Sequence, residues 1–251
     1  MGNLIKMDWY RLRTSMFFII STLVAFVLNL TASIAIPLLE RAFSPQTANA
    51  PVALSKIITN PDNFPFILVF MLISLVSFSY SDIANGYIKN IAGQLPNKGY
   101  TVISKFIVIA LHNFIFVCLV LASGLIGTFI TKKVVVDENV FTGILVFFIK
   151  WLLTMALTAI LLFVATGLKN KTIASVLGVL LGSGALSLVY MGLNSLFQGN
   201  IDVNEFTPDS LFGSLSASSL SLVLNAVIVS AVCIAIFLPL TVKVFKNRDV
   251  K

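Results

Sequence analysis

From Met16 to Pro37 the chain reads MFFIISTLVAFVLNLTASIAIP, without one charged side chain. A bilayer's hydrocarbon core is about 30 Å thick, and a helix rising about 1.5 Å per residue crosses it in roughly 20 residues. Five more apolar runs follow, at Phe64 to Tyr80, Ile103 to Ile130, Phe141 to Leu168, Ile173 to Phe197 and Leu220 to Val244. Lipid cannot satisfy exposed backbone polar groups, and these runs lack the alternation of barrel strands, so each is predicted to be a helix. With 58% apolar and 11% charged side chains in 251 residues, a soluble globular domain is excluded. The expected fold is all-α: a polytopic membrane protein with six transmembrane helices, forming a single transmembrane domain over residues 1–251.

The first run follows Lys6, Arg11 and Arg13 and ends in SIA, the pattern of a secretory signal. Its length exceeds the apolar stretch of a signal peptide, so it is read as a retained span. MGNLIK fails as a myristoylation site because Lys6 stands where Ser or Thr is needed. The two cysteines, Cys118 and Cys233, lie deep in predicted spans and are read as packing residues.

Charge sorts by loop. With the N-terminus inside, the inner segments carry twelve bases against three acids (Asp8, Asp82, Asp249), a net of +9. The outer segments carry four bases (Arg41, Lys56, Lys132, Lys133) against seven acids, a net of −3, and Lys150 stays within a span. The positive-inside rule then places both termini in the cytoplasm of a cell membrane. Topology accounts for the basic pI, so no nucleic-acid partner is implied. The abundance of Lys and Asn points to an AT-rich Gram-positive genome.

Residues 1–15, MGNLIKMDWYRLRTS, place Ile5, Trp9 and Leu12 on one helical face together with Met16, and Lys6, Arg11 and Arg13 toward the other. This is the pattern of an interfacial elbow helix on the inner leaflet, with Trp9 at headgroup depth. A basic tail held only by anionic lipid is the alternative. Between the second and third runs lies SYSDIANGYIKNIAGQLPNKGY, Ser79 to Tyr100. Ile83, Tyr87, Ile91 and Leu95 recur every fourth residue, with Asn85, Lys89 and Asn90 on the other faces. Ser81 or Asp82 can cap the start, and Pro96 with Gly99 ends it, giving a short amphipathic helix over 82–96. Periodicity alone fits a membrane-skimming connector equally well.

The basic elbow LIKMDWYRLRTS, a first span, a long outer loop and then DIANGYIKNIAGQLPNKGYTVISKF resemble the permease subunits of ABC transporters of the ABC-2 type. Asp82, Gly86, Lys89, Leu95, Pro96 and Lys105 match that family's segment, and Lys98 stands where an Arg commonly follows the proline. The resemblance runs through all six spans in order. It implies that the helix from Asp82 to Leu95 is a coupling helix, seated in a groove of a separate ATPase subunit through Asp82, Ile83, Tyr87, Lys89, Ile91 and Leu95. An apolar stripe with polar flanks suits such helix-in-groove binding. LKNKT, Leu168 to Thr172, would supply a second contact through Lys169 and Lys171, or serve only as a basic hairpin obeying topology. ATP and Mg would be held by the partner subunit, two permease copies or homologous permeases would pair as a dimer, and no cofactor would be bound by this chain. The cargo implied is amphipathic or hydrophobic peptide, as in bacteriocin-immunity systems and phenol-soluble modulin exporters.

No G-x-x-x-x-G-K-[ST] loop occurs, because Lys171 and Thr172 follow Asn170 with Ala165 where the first Gly is needed. The chain is therefore not expected to be an enzyme by itself. H-E-x-x-H, paired Cys clusters and a nucleophile elbow are absent too, so no metal site is expected. His112, beside Asn113, lacks a neighbouring intramembrane carboxylate; a hydrogen-bonding structural role is weighed against a proton relay. Lys150 would cost about 3 kcal/mol at a helix centre. Either it snorkels outward from a span that starts at Trp151, or it faces a substrate path together with His112 and Asn113.

In span five, Ala174, Gly178 and Gly182 recur at four-residue spacing, a close-packing face within the protomer or across a dimer. The outer segment Leu38 to Asn63 reads as loosely structured apart from a short helix in PVALSKII. The outer segment 198–219 carries three acids, with a helix able to start at Pro208. An exporter permease leads the functional readings. An ion-driven secondary transporter, which should show buried carboxylates or broken helices, and a non-transporting scaffold are the rivals. An intramembrane enzyme is the weakest.

Overall fold

The computed structural model describes residues 1–43, 51–61, 66–86, 97–196, 202–215 and 220–247, apart from the side chains of Asp82 and Leu220. The fold is almost entirely helical. Helix α1 (Gly2–Thr14) meets α2 (Met16–Phe43) at Ser15. Strand β1 (Val52–Ala53) leads into α3 (Leu54–Thr59), and then come α4 (Ile67–Ala84) and α5 (Gly99–Thr131). Strand β2 (Val134–Val135) pairs in parallel with β1, Val52 opposite Val134. Next come α6 (Val140–Leu162), continued by a π-helical turn at Phe163–Gly167, then α7 (Lys171–Ser183) and α8 (Ser187–Leu196). A 3-10 turn at Val203–Phe206, α9 (Pro208–Ser214) and α10 (Leu220–Lys246) complete the order.

Four helices among the described residues are long and apolar enough to cross a bilayer: α2, α5, α6 with its π turn, and α10. They correspond to the first, third, fourth and sixth expected spans. The other two differ. Helix α4 has 18 residues and its apolar part ends at Ser81; at about 1.5 Å per residue it falls short of a full crossing. The expected fifth span is two helices, α7 and α8, bent by 76°. Gly184 makes the break with φ +70, a conformation that costs glycine little. Counting the bent pair as one gives up to five spans.

Three further differences concern ends and faces. Helix α2 runs to Phe43, through Pro37, so the stretch expected to be loose after Leu38 begins as helix. Helix α4 runs through Ser81, Asp82 and Ile83 to Ala84, so neither Ser81 nor Asp82 caps a new helix; Ser81 Oγ donates to Phe78 O at 2.8 Å within α4. Helix α1 buries Leu4, Asp8 and Leu12 against α5, leaving Met16 exposed. The short helix expected in PVALSKII is narrower, with Val52 and Ala53 extended before α3, while α9 starts at Pro208 as the sequence suggests.

The core is built around α4, α5, α6 and α7, where Leu72, Leu75, Ile109, Leu157, Leu161 and Leu162 are almost wholly excluded from solvent. Helix α2 turns a narrow stripe inward, Ser21, Ala25, Asn29 and Ser33, and exposes Ile19, Ile20, Leu23 and Val27. Small and hydroxylated residues inside with aliphatic ones outside is the arrangement for a bilayer, where close backbone packing and hydrogen bonds hold helices together and lipid covers the rest. Asn29 reaches across this contact: its Nδ2 lies 3.0 Å from Pro61 O, 3.1 Å from Val120 O and 2.8 Å from Ser123 Oγ.

Helices α4 and α7 run antiparallel, Gly182 against Val69 and Gly178 against Leu72. The small-residue face of the expected fifth span thus packs within the chain. This pairing also brings the start of α7 to the end of the bundle where α4 stops. Helix α5 begins there too, with Gly99 against Val242 and Lys246 of α10. One end of the molecule therefore gathers Arg11, Arg13, Lys98, Lys105, Lys169, Lys171, Lys243 and Lys246. The opposite end holds a mixed set, in which Lys132 Nζ meets Glu40 Oε2 at 2.6 Å and Arg41 donates to Thr131 O.

Candidate coupling end and polar groups within the bundle

At the basic end three elements are tied by buried polar contacts. Ser104 Oγ donates to Asp8 Oδ2 at 2.5 Å, fixing α1 to α5, and Arg11 Nη1 lies 3.8 Å from Asp8 Oδ1. Lys105 Nζ donates to Ser79 O at 2.8 Å, with the Phe78 ring beneath the ammonium, fixing α5 to the last turns of α4. Lys105 is only 4% exposed, so the residue matched to the resembled family's lysine is a structural tether and not a surface contact.

The hairpin after α6 is closed by three local features. The chain leaves α6 through the π turn, in which Leu168 N–H reaches Phe163 O at 3.0 Å. Lys169 then takes φ 55, and Asn170 Oδ1 accepts from Ile173 N at 2.9 Å to cap α7. Leu168, Lys169, Lys171 and Ile173 are left exposed.

Of the residues expected to meet an ATPase subunit, Asp82 and Ile83 lie in the last turn of α4, and Lys169 and Lys171 project from the hairpin at the same end. Tyr87, Lys89, Ile91 and Leu95 lie outside the described residues. Both flanks of that stretch, Ala84 and Gly99, are at the basic end. In the elbow, Trp9 is half-buried, Arg11 faces Asp8, and Arg13 is exposed.

The three residues considered for a substrate path are not brought together into one polar route. Lys150 is 3% exposed and does not snorkel to water. Its Nζ donates to Asn60 Oδ1 at 2.8 Å and lies 5.2 Å from the centre of the Phe212 ring. Helices α3 and α9 both pack on α6, so the segments that carry Asn60 and Phe212 fold over the ammonium. Helix α6 is continuous across this point, and Trp151, expected to start the span, donates its Nε1 to Ala110 O at 3.1 Å from within it.

His112 Nε2 lies 3.3 Å from Thr22 Oγ1, and its ring meets Phe18 edge-on with centroids 4.0 Å apart. Its side chain borders a cleft of about 540 Å³ between α1, α2 and α5. Asn113 points elsewhere, donating Nδ2 to Thr158 Oγ1 at 2.8 Å, and its buried Oδ1 has no partner among the described residues. No group of three or more His, Cys, Asp or Glu side chains able to hold a metal ion occurs among the described residues.

Two contacts at the opposite end were not apparent in the sequence. Ser55 Oγ and Ser55 N–H both donate to the Asp137 carboxylate, at 2.5 and 3.0 Å, and these bonds hold Asp137 below the usual carboxylate range. Tyr190 of α8 donates its hydroxyl to Asp209 of α9, 3.0 and 3.2 Å from the two oxygens. Burial pushes the Asp209 carboxyl above its ordinary value. A carboxyl raised in the folded state contributes stability that is fully present below about pH 4 and is lost as pH rises through the folded value. At neutral pH the buried charge is a cost. Asp209→Asn should therefore keep the Tyr190 contact, melt no lower than the parent at pH 7, and flatten the pH dependence above about pH 4. Asp209→Leu removes the carboxylate that accepts from the Tyr190 hydroxyl and should cost about 1–3 kcal/mol. Thermal unfolding in detergent micelles from pH 4 to 8 checks both.

The chain matches no protein-family model and no curated protein sequence.

Proposed function

We propose that this chain is the membrane-spanning permease subunit of an ATP-driven ABC exporter, paired with a second permease and moving amphipathic or hydrophobic peptides. ATP and Mg belong to a separate ATPase subunit that docks at the basic, cytoplasmic end. The observation that carries the reading is the hairpin at Leu168 to Thr172. A lysine held at φ 55 costs roughly 1–2 kcal/mol where glycine would cost almost nothing. Backbone kept in such a conformation by its surroundings is commonly found where a side chain is used, and here it presents Lys169 beside Lys171 at the end where α4 stops. The tethers from Asp8 to Ser104 and from Lys105 to Ser79 offer a mechanical link: a force on the stretch after α4 would reach α5 and α1 through short hydrogen bonds.

The test is to purify the tagged chain in mild detergent with its neighbouring gene products and identify what accompanies it. A roughly stoichiometric nucleotide-binding subunit is expected. Ile91→Asp with Leu95→Asp should remove it, because a carboxylate forced into an apolar groove costs about 3 kcal/mol or more, a loss of roughly a hundredfold. Wild-type chain that transports with no nucleotide-binding partner would refute the proposal.

An ion-driven transporter is the second reading, favoured by the 76° break between α7 and α8, since interrupted helices build binding sites in such proteins. Uptake or efflux in proteoliposomes driven by a pH or sodium gradient without ATP would establish it.

A further inference from the structure

We infer that the cleft between α1, α2 and α5 is a binding site for one acyl chain of an anionic phospholipid of the inner leaflet, with its headgroup held by Arg13. The cleft encloses about 540 Å³, within the size range of built small-molecule sites. Its wall runs along α2 from Phe18 to Phe26, about 12 Å at 1.5 Å per residue. Opposite stand Ile115 and Leu119 of α5. The lining is apolar except at two places. Thr22 and His112, hydrogen-bonded to each other, form one. The elbow helix forms the other, presenting Trp9 and Arg13 at the end of the cleft.

Charge and position select the occupant. Arg13 is exposed, and no described acidic residue pairs with it. Trp9 and Arg13, four residues apart, are neighbours on α1 and both border the cleft. An indole beside a cation, at the end of an apolar slot in bilayer-facing helices, combines the features that recognise a negative headgroup with its tail alongside. Ile19, Leu23 and Ile115 are partly exposed at the slot's edge, so a tail enters sideways from the membrane. A cytosolic peptide would have to cross the headgroups first. The site rests on the chain being membrane-embedded and is independent of the exporter reading, because its test involves no ATPase.

Trp9 and Trp151 are the only tryptophans, so Trp151→Phe leaves a reporter at the mouth of the cleft. The full chain carrying this change is reconstituted into phosphatidylcholine vesicles with increasing brominated phosphatidylglycerol, or with brominated phosphatidylcholine as the comparison. One basic side chain near the surface favours anionic lipid by about fivefold, so half-maximal quenching of Trp9 should need about fivefold less of the brominated anionic lipid. Arg13→Gln should abolish the preference and Arg13→Lys should retain it. Leu119→Phe, which fills the slot, should weaken quenching by both lipids. Equal quenching by the two lipids in the parent, or a preference that survives Arg13→Gln, would show only general bilayer contact and overturn the site.

Discussion

Gly182→Val is expected to cost about 3 kcal/mol of stability, the upper part of the usual range for overpacking. A Cβ at Gly182 would lie 2.8 Å from both the Cα and the N of Val69. Those are backbone atoms of the first turn of α4, so no side chain can rotate aside to make room. The only relief is to part α7 from α4, which opens the packing of Leu72 and Leu161 around Gly178. Gly127→Val should act similarly at the contact of α5 with α2, where the added atom would run into Ser33. Gly192→Val is the internal control: it lies in α8, and nothing stands within 4 Å of its added Cβ. The thermal midpoint and the monodisperse fraction in detergent should fall sharply for the first two and hardly move for the third. Equal behaviour of Gly182→Val and Gly192→Val would mean that α7 is not packed against α4 as described.

That contrast shows what the sequence revealed and what it withheld. Apolar length identified α2, α5, α6 and α10, because crossing a bilayer is a requirement on composition and length that any helix of the right kind meets. Proline placed the start of α9. Spacing marked Ala174, Gly178 and Gly182 as a close contact but could not say with what, since small residues specify proximity and not the partner. The break at Gly184 was hidden because a glycine in an apolar run is equally compatible with a straight helix, and only a positive φ turns it into a corner. The elbow's packing was only partly legible: spacing grouped Ile5, Trp9, Leu12 and Met16 as one apolar face, while the buried set is Leu4, Asp8 and Leu12, and Asp8 goes inward because Ser104 gives its carboxylate a hydrogen bond. Buried polar residues such as Asn29 and Asp8 follow partners that are distant in sequence. For the candidate site, Lys169 and Lys171 project at the end of the bundle where α4 stops, and their role as a contact rests on the resemblance, as the stripe of Tyr87, Ile91 and Leu95 rests on periodicity.

The second large effect is expected at Lys150, where a cation is held within the bundle by groups from the opposite end of the molecule. Asn60→Leu removes the oxygen that accepts from Nζ at 2.8 Å, and a hydrogen bond to a charged group contributes about 1.5–3 kcal/mol. The same change in a Lys150→Met background should cost far less, because the ammonium it satisfied is gone; the difference between the two costs measures the contact itself. Lys150→Met alone keeps the side chain's volume and removes the charge, so it should fold. If the proposed exporter reading holds and the cover formed by Asn60 and Phe212 closes its transport route, Lys150→Met should also change cargo-stimulated ATP hydrolysis with the proposed ATPase subunit, while basal hydrolysis and subunit association stay as they were. Stability that responds to Asn60→Leu equally in both backgrounds would show that Asn60 acts through α3 packing alone. Unchanged cargo stimulation in Lys150→Met would confine the lysine to a structural role, for which burial by two outer helices is already a sufficient cause.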